Sequence, residues 1–173
     1  MRIYLIGYSY SGKTTMGRRL SKLLGFDSMD TDKAIEMKYH TSIQMFFNRY
    51  GEKAFRIIES QMLKSTAELD NTVISTGGGT SCSDENIDFI LNHGTAIYLE
   101  MSVDDIMQRI SKAHRTRPAL SGKSLEEQHQ FISEQLETRL KYYRQAPLSL
   151  PALNATPEQI VQLLRDNNII VEG

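Results

Sequence analysis

The residues best suited to hold phosphate lie in GYSYSGKT, positions 7–14. The stretch satisfies G-x-x-x-x-G-K-[ST] at every fixed position, with a β-type run (Arg2–Ile6) before it and a helical pattern (Lys13–Leu24) after it. Gly7 and Gly12 let such a loop turn until consecutive backbone N–H groups converge on one point, and the following helix N-terminus adds its partial positive charge. Lys13 is placed to reach the β- and γ-phosphates of a nucleotide, and Thr14 to offer its hydroxyl to Mg²⁺. Gly7, Ser9, Ser11, Gly12, Lys13, Thr14 and Thr15 are therefore the candidate nucleotide contacts. Switches, motors and kinases all use this loop, so the rest of the chain decides the activity.

Four further stretches could build an acceptor site. In STGGGTS, residues 75–81, three glycines follow the apolar run Thr72-Val73-Ile74. A run of glycines is entropically costly, and is explained by a loose turn or by a ligand approaching too closely for any Cβ. In MDTDKAIE, residues 29–36, Asp30 and Asp32 sit two apart at a strand end, where alternate residues point the same way. One carboxylate could hold a metal's water shell and the other take a proton from a hydroxyl. Helix capping explains an Asp there equally well. In GEKAFRIIES, residues 51–60, Arg56 and Glu59 share a helix face, either as a solvated ion pair or as a guanidinium fixed to grip a carboxylate. In HRTRPAL, Arg115 and Arg117 fall on a polar, proline-broken stretch that suits either a basic loop or a lid carrying a transition-state arginine. Arg139, by spacing alone, is one charge on an amphipathic helix.

These stretches need a frame. Strand-like runs at Arg2–Ile6, Phe26–Met29, Thr72–Ser75, Thr95–Glu100 and Leu148–Leu153 alternate with helical patterns. The helices are expected at Lys13–Leu24, Asp32–Tyr39, Ser42–Tyr50, Glu52–Leu69, Asp84–Asn92, Val103–Lys112, Leu125–Arg144 and Pro157–Asn167. Such alternation predicts parallel βαβ units with helices on both faces, and ligands beyond the carboxyl ends of the strands. At 173 residues the chain fits one domain. Twenty Lys+Arg against twenty-one Asp+Glu leaves a net charge of −1, which argues against nucleic-acid binding. No apolar run approaches a membrane span, and the N-terminus lacks the features of a signal peptide. The single cysteine, Cys82, agrees with a reduced cytoplasmic setting. The four histidines lack metal-ligand spacing, and the eight methionines fall in helical patterns that read as core filling.

In this order, LIGYSYSGKTTMGRRLSKLLG, MDTD, GEKAFRIIES, VISTGGGTS and TRPAL resemble shikimate kinase, from Ile3 to about Ile160. The resemblance implies a three-layer α/β/α P-loop fold of the nucleoside-monophosphate-kinase type. Its sheet would have five parallel strands, in a single domain over residues 1–173 with a mobile lid over about 113–124. It implies transfer of the ATP γ-phosphate to the 3-hydroxyl of shikimate, within aromatic amino-acid biosynthesis. Asp32 would then hold the shikimate hydroxyls and help activate the nucleophile, Arg56 and Arg139 would bind its carboxylate, and Glu59 would position Arg56. Gly77, Gly78 and Gly79 would line the acceptor pocket. Lys13, Thr14 and Asp30 would serve the phosphates and Mg²⁺, Arg117 would close from the lid, and Arg109 and Pro157 would flank the adenine. The strand TVIS ends without the acidic residue many P-loop enzymes carry there, which throws the metal onto Asp30. Tyr10 departs from the family, which usually has glycine at that place, and AHRTRPAL departs from the RPLL-like lid. The expected partners are ATP and shikimate, with no nucleic acid or membrane, and a monomer is the default. A gluconate-type sugar-acid kinase and a nucleotide-dependent regulatory module are the alternatives.

Overall fold

The structure is a computed structural model, and it describes residues 1–113, 120 and 122–170. Arg117, with His114, Arg115 and most of the expected lid, lies outside the described residues. Five strands, β1 (Arg2–Ile6), β2 (Asp27–Asp30), β3 (Thr72–Ser75), β4 (Thr95–Glu100) and β5 (Leu148–Pro151), form one sheet in the order β2-β3-β1-β4-β5. Every neighbouring pair is parallel. The central strands are buried through most of their length, as a sheet covered on both faces requires, which explains the near-continuous apolar runs IYLI and AIYL. The edge strands can be more polar: β2 reads DSMD, and β5 ends at Pro151, whose missing N–H is tolerated there.

Among the described residues seven helices, α1 (Lys13–Leu24), α2 (Thr31–Tyr39), α3 (Ile43–Ser65), α4 (Asp84–His93), α5 (Val103–Lys112), α6 (Leu125–Tyr143) and α7 (Pro157–Asp166), cover the two faces. Their starts are written in the sequence. Ser42, Ser83, Ser102, Ser124 and Thr156 each accept a backbone N–H at a helix N-cap, and Asp105, Glu127 and Gln159 complete capping boxes. The two helices expected over 42–69 meet at Gly51, whose non-helical φ 80° and ψ 171° kink α3 where the break was expected, and a 3₁₀ turn at Thr66–Glu68 follows. β2 begins at Asp27, one residue beyond expectation, and α2 begins one residue early because Asp30 is its cap.

The main core joins the sheet to α1 and the later helices, while Ile35, Phe46, Phe55 and Met62 form a second, smaller core between α2 and α3. That second core fixes the two helices that carry Asp32 and Arg56. The methionines divide. Met16, Met62 and Met101 are buried, but Met37 and Met45 face solvent, so core filling describes only part of the set.

Strand order places the chemistry. Leu5 of β1 is in register with Ser75 of β3, so the loop after β1 and the glycines after β3 leave the sheet side by side. Thr76 ties them, its N–H and hydroxyl both donating to the Leu5 carbonyl at 3.2 and 3.0 Å.

Candidate active site

The phosphate loop closes on its own lysine. Gly7 and Gly12 adopt φ +138° and +86°, and a Cβ on Gly7 would lie 2.7 Å from the Leu99 carbonyl oxygen. Lys13 is buried, and its Nζ donates to the carbonyls of Gly7 and Tyr8 at 2.8 Å and to Ser11 Oγ at 3.2 Å. The ammonium therefore sits inside the ring of backbone that would face an anion. Ser9 and Ser11 are buried in the same loop, while Thr15 is exposed one position beyond Thr14. Arg109 of α5 braces the loop from outside, donating from Nη1 to the Tyr10 carbonyl (2.7 Å) and from Nη2 to that of Ala152 (3.0 Å). Pro157 is the buried N1 residue of α7, a helix that packs on α1.

Thr14 and Asp30 meet, as a metal site needs. Thr14 Oγ1 donates to Asp30 Oδ2 at 2.5 Å, and Asp30 Oδ1 accepts the Lys33 N–H at 3.1 Å. Asp30 is thus a helix cap, and the same carboxylate lies beside the loop hydroxyl. Ser75 stands where β3 could have carried an acid, and its hydroxyl donates to the Lys13 carbonyl at 2.9 Å. Among the described residues no group of three or more His, Cys, Asp or Glu could hold a metal. One carboxylate and one hydroxyl suit Mg²⁺, which keeps several waters and takes phosphate oxygens instead of a full protein cage.

The acceptor residues converge on a cavity of about 270 Å³. Ser9, Asp32, Arg56, Glu59, Gly77, Gly78, Gly79 and Arg139 all line it. Glu59 is 2 % exposed, and it accepts from Arg56 Nη1 at 2.7 Å and from the Thr80 hydroxyl at 2.7 Å. Arg56, 36 % exposed, also donates from Nη2 and Nε to Glu52 Oε1 at 3.0 and 3.3 Å. Burial of the guanidinium works against its charge, but Glu59 and Glu52 outweigh it and hold its pKa above the ordinary arginine value. Arg139, on α6, donates to the Gly78 carbonyl at 3.3 Å and lies over the Tyr8 ring, with Cζ 5.4 Å from its centroid. The spacing reading of one solvated charge does not hold for it.

The glycine triplet has a reason beyond ligand approach. A Cβ at Gly77 would lie 2.5 Å from Asp32 Oδ1, at Gly78 2.5 Å from Ser9 Oγ and 2.9 Å from its backbone N, and at Gly79 2.6 Å from Arg56 Nη1. The missing side chains make room for the functional groups themselves. Gly78→Ala is expected to push the phosphate loop outward, because the obstacle includes backbone. The variant should lose about 1–3 kcal/mol of stability, as overpacked positions do. It should also weaken both substrates together, and thermal melts with two-substrate kinetics check this.

Several contributing residues were not singled out from sequence. Glu52 sits four before Arg56 in the stretch already quoted, a helical spacing that could have flagged it. Thr80 and the α6 residue Tyr143 had no such signal. Tyr143 is fully buried, stacks on Tyr98 and donates to the Gly78 carbonyl at 2.5 Å. Burial raises its pKa well above that of an ordinary tyrosine, so it remains a donor. Burial also raises the Cys82 thiol, which fits an unreactive side chain. His93 bonds to Phe89 and exposed His129 to Asp104, as structural or surface histidines do.

A family model described as shikimate kinase matches residues 10–167. A shikimate kinase of Parabacteroides distasonis is 42 % identical over 151 residues, covering 87 % of each chain. The crystal structure of shikimate kinase from Bacteroides thetaiotaomicron superposes with a TM-score of 0.89 at 36 % identity, covering 98 % of this chain and 99 % of that one. Shikimate kinase from Acinetobacter baumannii in complex with shikimate gives 0.86 at 30 %, covering 98 % and 95 %. With loop, paired strand ends and acceptor cavity in one architecture and these relatives matching nearly end to end, the chain belongs to the shikimate kinase family.

Proposed function

We propose that the chain transfers the γ-phosphoryl group of ATP to the 3-hydroxyl of shikimate, giving shikimate 3-phosphate and ADP. The observation that carries this reading is the lining of the 270 Å³ cavity, which joins Ser9 of the phosphate loop to Asp32, Arg56, Arg139 and the three glycines. A small acidic alcohol in the cavity would lie beside phosphates held at the loop. Arg56 and Arg139 grip its carboxylate by charge-assisted bonds, with Glu59 fixing the Arg56 fork and exposed Glu52 yielding the outer edge. Asp32 orients the hydroxyls and takes up the proton of the attacking one. The loop backbone and Lys13 hold the phosphates, while Arg109 and Pro157 flank the adenine. Thr14 and Asp30 would hold Mg²⁺, which would supply neutralisation of the phosphate charge. Arg117 completes the charge stabilisation from the lid over about 113–124. Positioning and electrostatics supply most of the rate, as expected where the protein has little covalent work to do.

A monomer is the default for this enzyme, and ATP as donor supports a cytoplasmic one. Among the described residues no helix is long and apolar enough to cross a membrane. The test is ADP release with ATP and Mg²⁺ in the presence of shikimate, gluconate or no acceptor. Release dependent on shikimate is expected. Release with gluconate alone would move the substrate, and ATP binding without turnover on any acceptor would sink the kinase reading.

A further inference from the structure

Tyr10 combines three properties. First, its backbone is left-handed at φ 70°. The other described non-glycine residues with positive φ are His40, Asn71 and Asn168, types that tolerate this region, whereas a bulky aromatic there is an outlier. Second, the conformation is held, because its carbonyl accepts the Arg109 bond at 2.7 Å. Third, Tyr10 is among the residues that line the acceptor cavity, with Tyr8, Phe47, Phe55 and Phe131, and it packs against the main core with its phenol oxygen buried. Glycine would fit this backbone without strain, so the aromatic side chain is kept against a local cost. Strain retained at a binding site points to function.

We propose that Tyr10 is a specificity-determining residue, whose ring narrows the acceptor cavity and excludes carboxylated polyols bulkier than the true acceptor. The inference rests on the proposed function, since it concerns the same cavity. At about 270 Å³ the space is below the usual range for drug-sized ligands, so removal of one ring changes its shape substantially. On this reading the ring packs against the acceptor, while the phosphates are left to the loop backbone and Lys13.

The experiment compares wild type with Tyr10→Gly, using shikimate and quinate, a ring acid with an added hydroxyl. In Tyr10→Gly the KM for shikimate should rise about tenfold, the equivalent of one lost side-chain contact. The quinate-to-shikimate ratio of kcat/KM should rise as well, while the KM for ATP stays within about twofold and the melting temperature does not fall, because glycine relieves the φ strain. Tyr10→Phe should return the ratio toward wild type. An unmoved ratio in Tyr10→Gly, or a fall in melting temperature with both KM values rising together, overturns the role. The wild-type arm separates the two readings. No shikimate-dependent turnover there defeats the proposed function and this inference with it, whereas normal wild-type turnover with an unmoved variant ratio defeats the inference alone.

Discussion

Lys13→Ala should lower kcat by about 10²–10³ with both substrates saturating, the loss typical of removing one preorganised charge from a transition state. The side chain is buried and donates to the loop's own oxygens, so its charge is already desolvated and aimed inward. A charge held this way needs no reorganisation as the γ-phosphoryl group leaves. The substitution also leaves the Gly7 and Tyr8 carbonyls short of a donor, so a melting curve belongs beside the kinetics. A folded variant whose kcat stays within about tenfold of wild type would show that the loop backbone alone does the work assigned to Lys13.

Arg56→Ala should act on a different constant. Bonds between a guanidinium and a carboxylate contribute about 1.5–3 kcal/mol each, so losing the grip should raise the acceptor KM roughly 100-fold. The KM for ATP should hold, because Arg56 lies on α3, away from the loop contacts. Arg56→Lys should recover little, since an ammonium cannot bond Glu59 and a substrate carboxylate with the same planar fork. Glu59 keeps the Thr80 hydroxyl when Arg56 is lost, which limits the damage to folding. An acceptor KM unchanged in Arg56→Ala would remove Arg56 from the carboxylate site.

The fold was legible because its signals are local. Period, caps and β-branched runs lie within a few residues of one another, and they placed every strand and nearly every helix. Gly51 marked the break between the two expected helices, and its non-helical φ 80° and ψ 171° set the kink of α3 there. The site was legible where residues share a motif, as with Thr14 in its loop and Arg56 with Glu59. It was not legible where a partner comes from a distant segment. Tyr143 reaches Gly78 across 65 positions, and Arg109 reaches Tyr10 across 99. Arg139 looked like a surface charge for the same reason, since its neighbours Tyr8 and Gly78 belong to other strand ends.

The glycine triplet bears on how this chain can drift. An alanine at Gly79 meets the tip of Arg56, so a second substitution could accommodate it only by shortening the side chain proposed to grip the acceptor. An alanine at Gly78 meets the backbone nitrogen of Ser9, and no exchange of side chains moves a peptide unit out of the way. At Gly77 the obstacles are Asp32, Thr80 and Glu59 together, so a compensating lineage would have to change three positions on two helices and a turn at once. Genetic suppressor screens starting from these three alanines should therefore return true revertants at position 78 and activity-poor pseudorevertants at position 79.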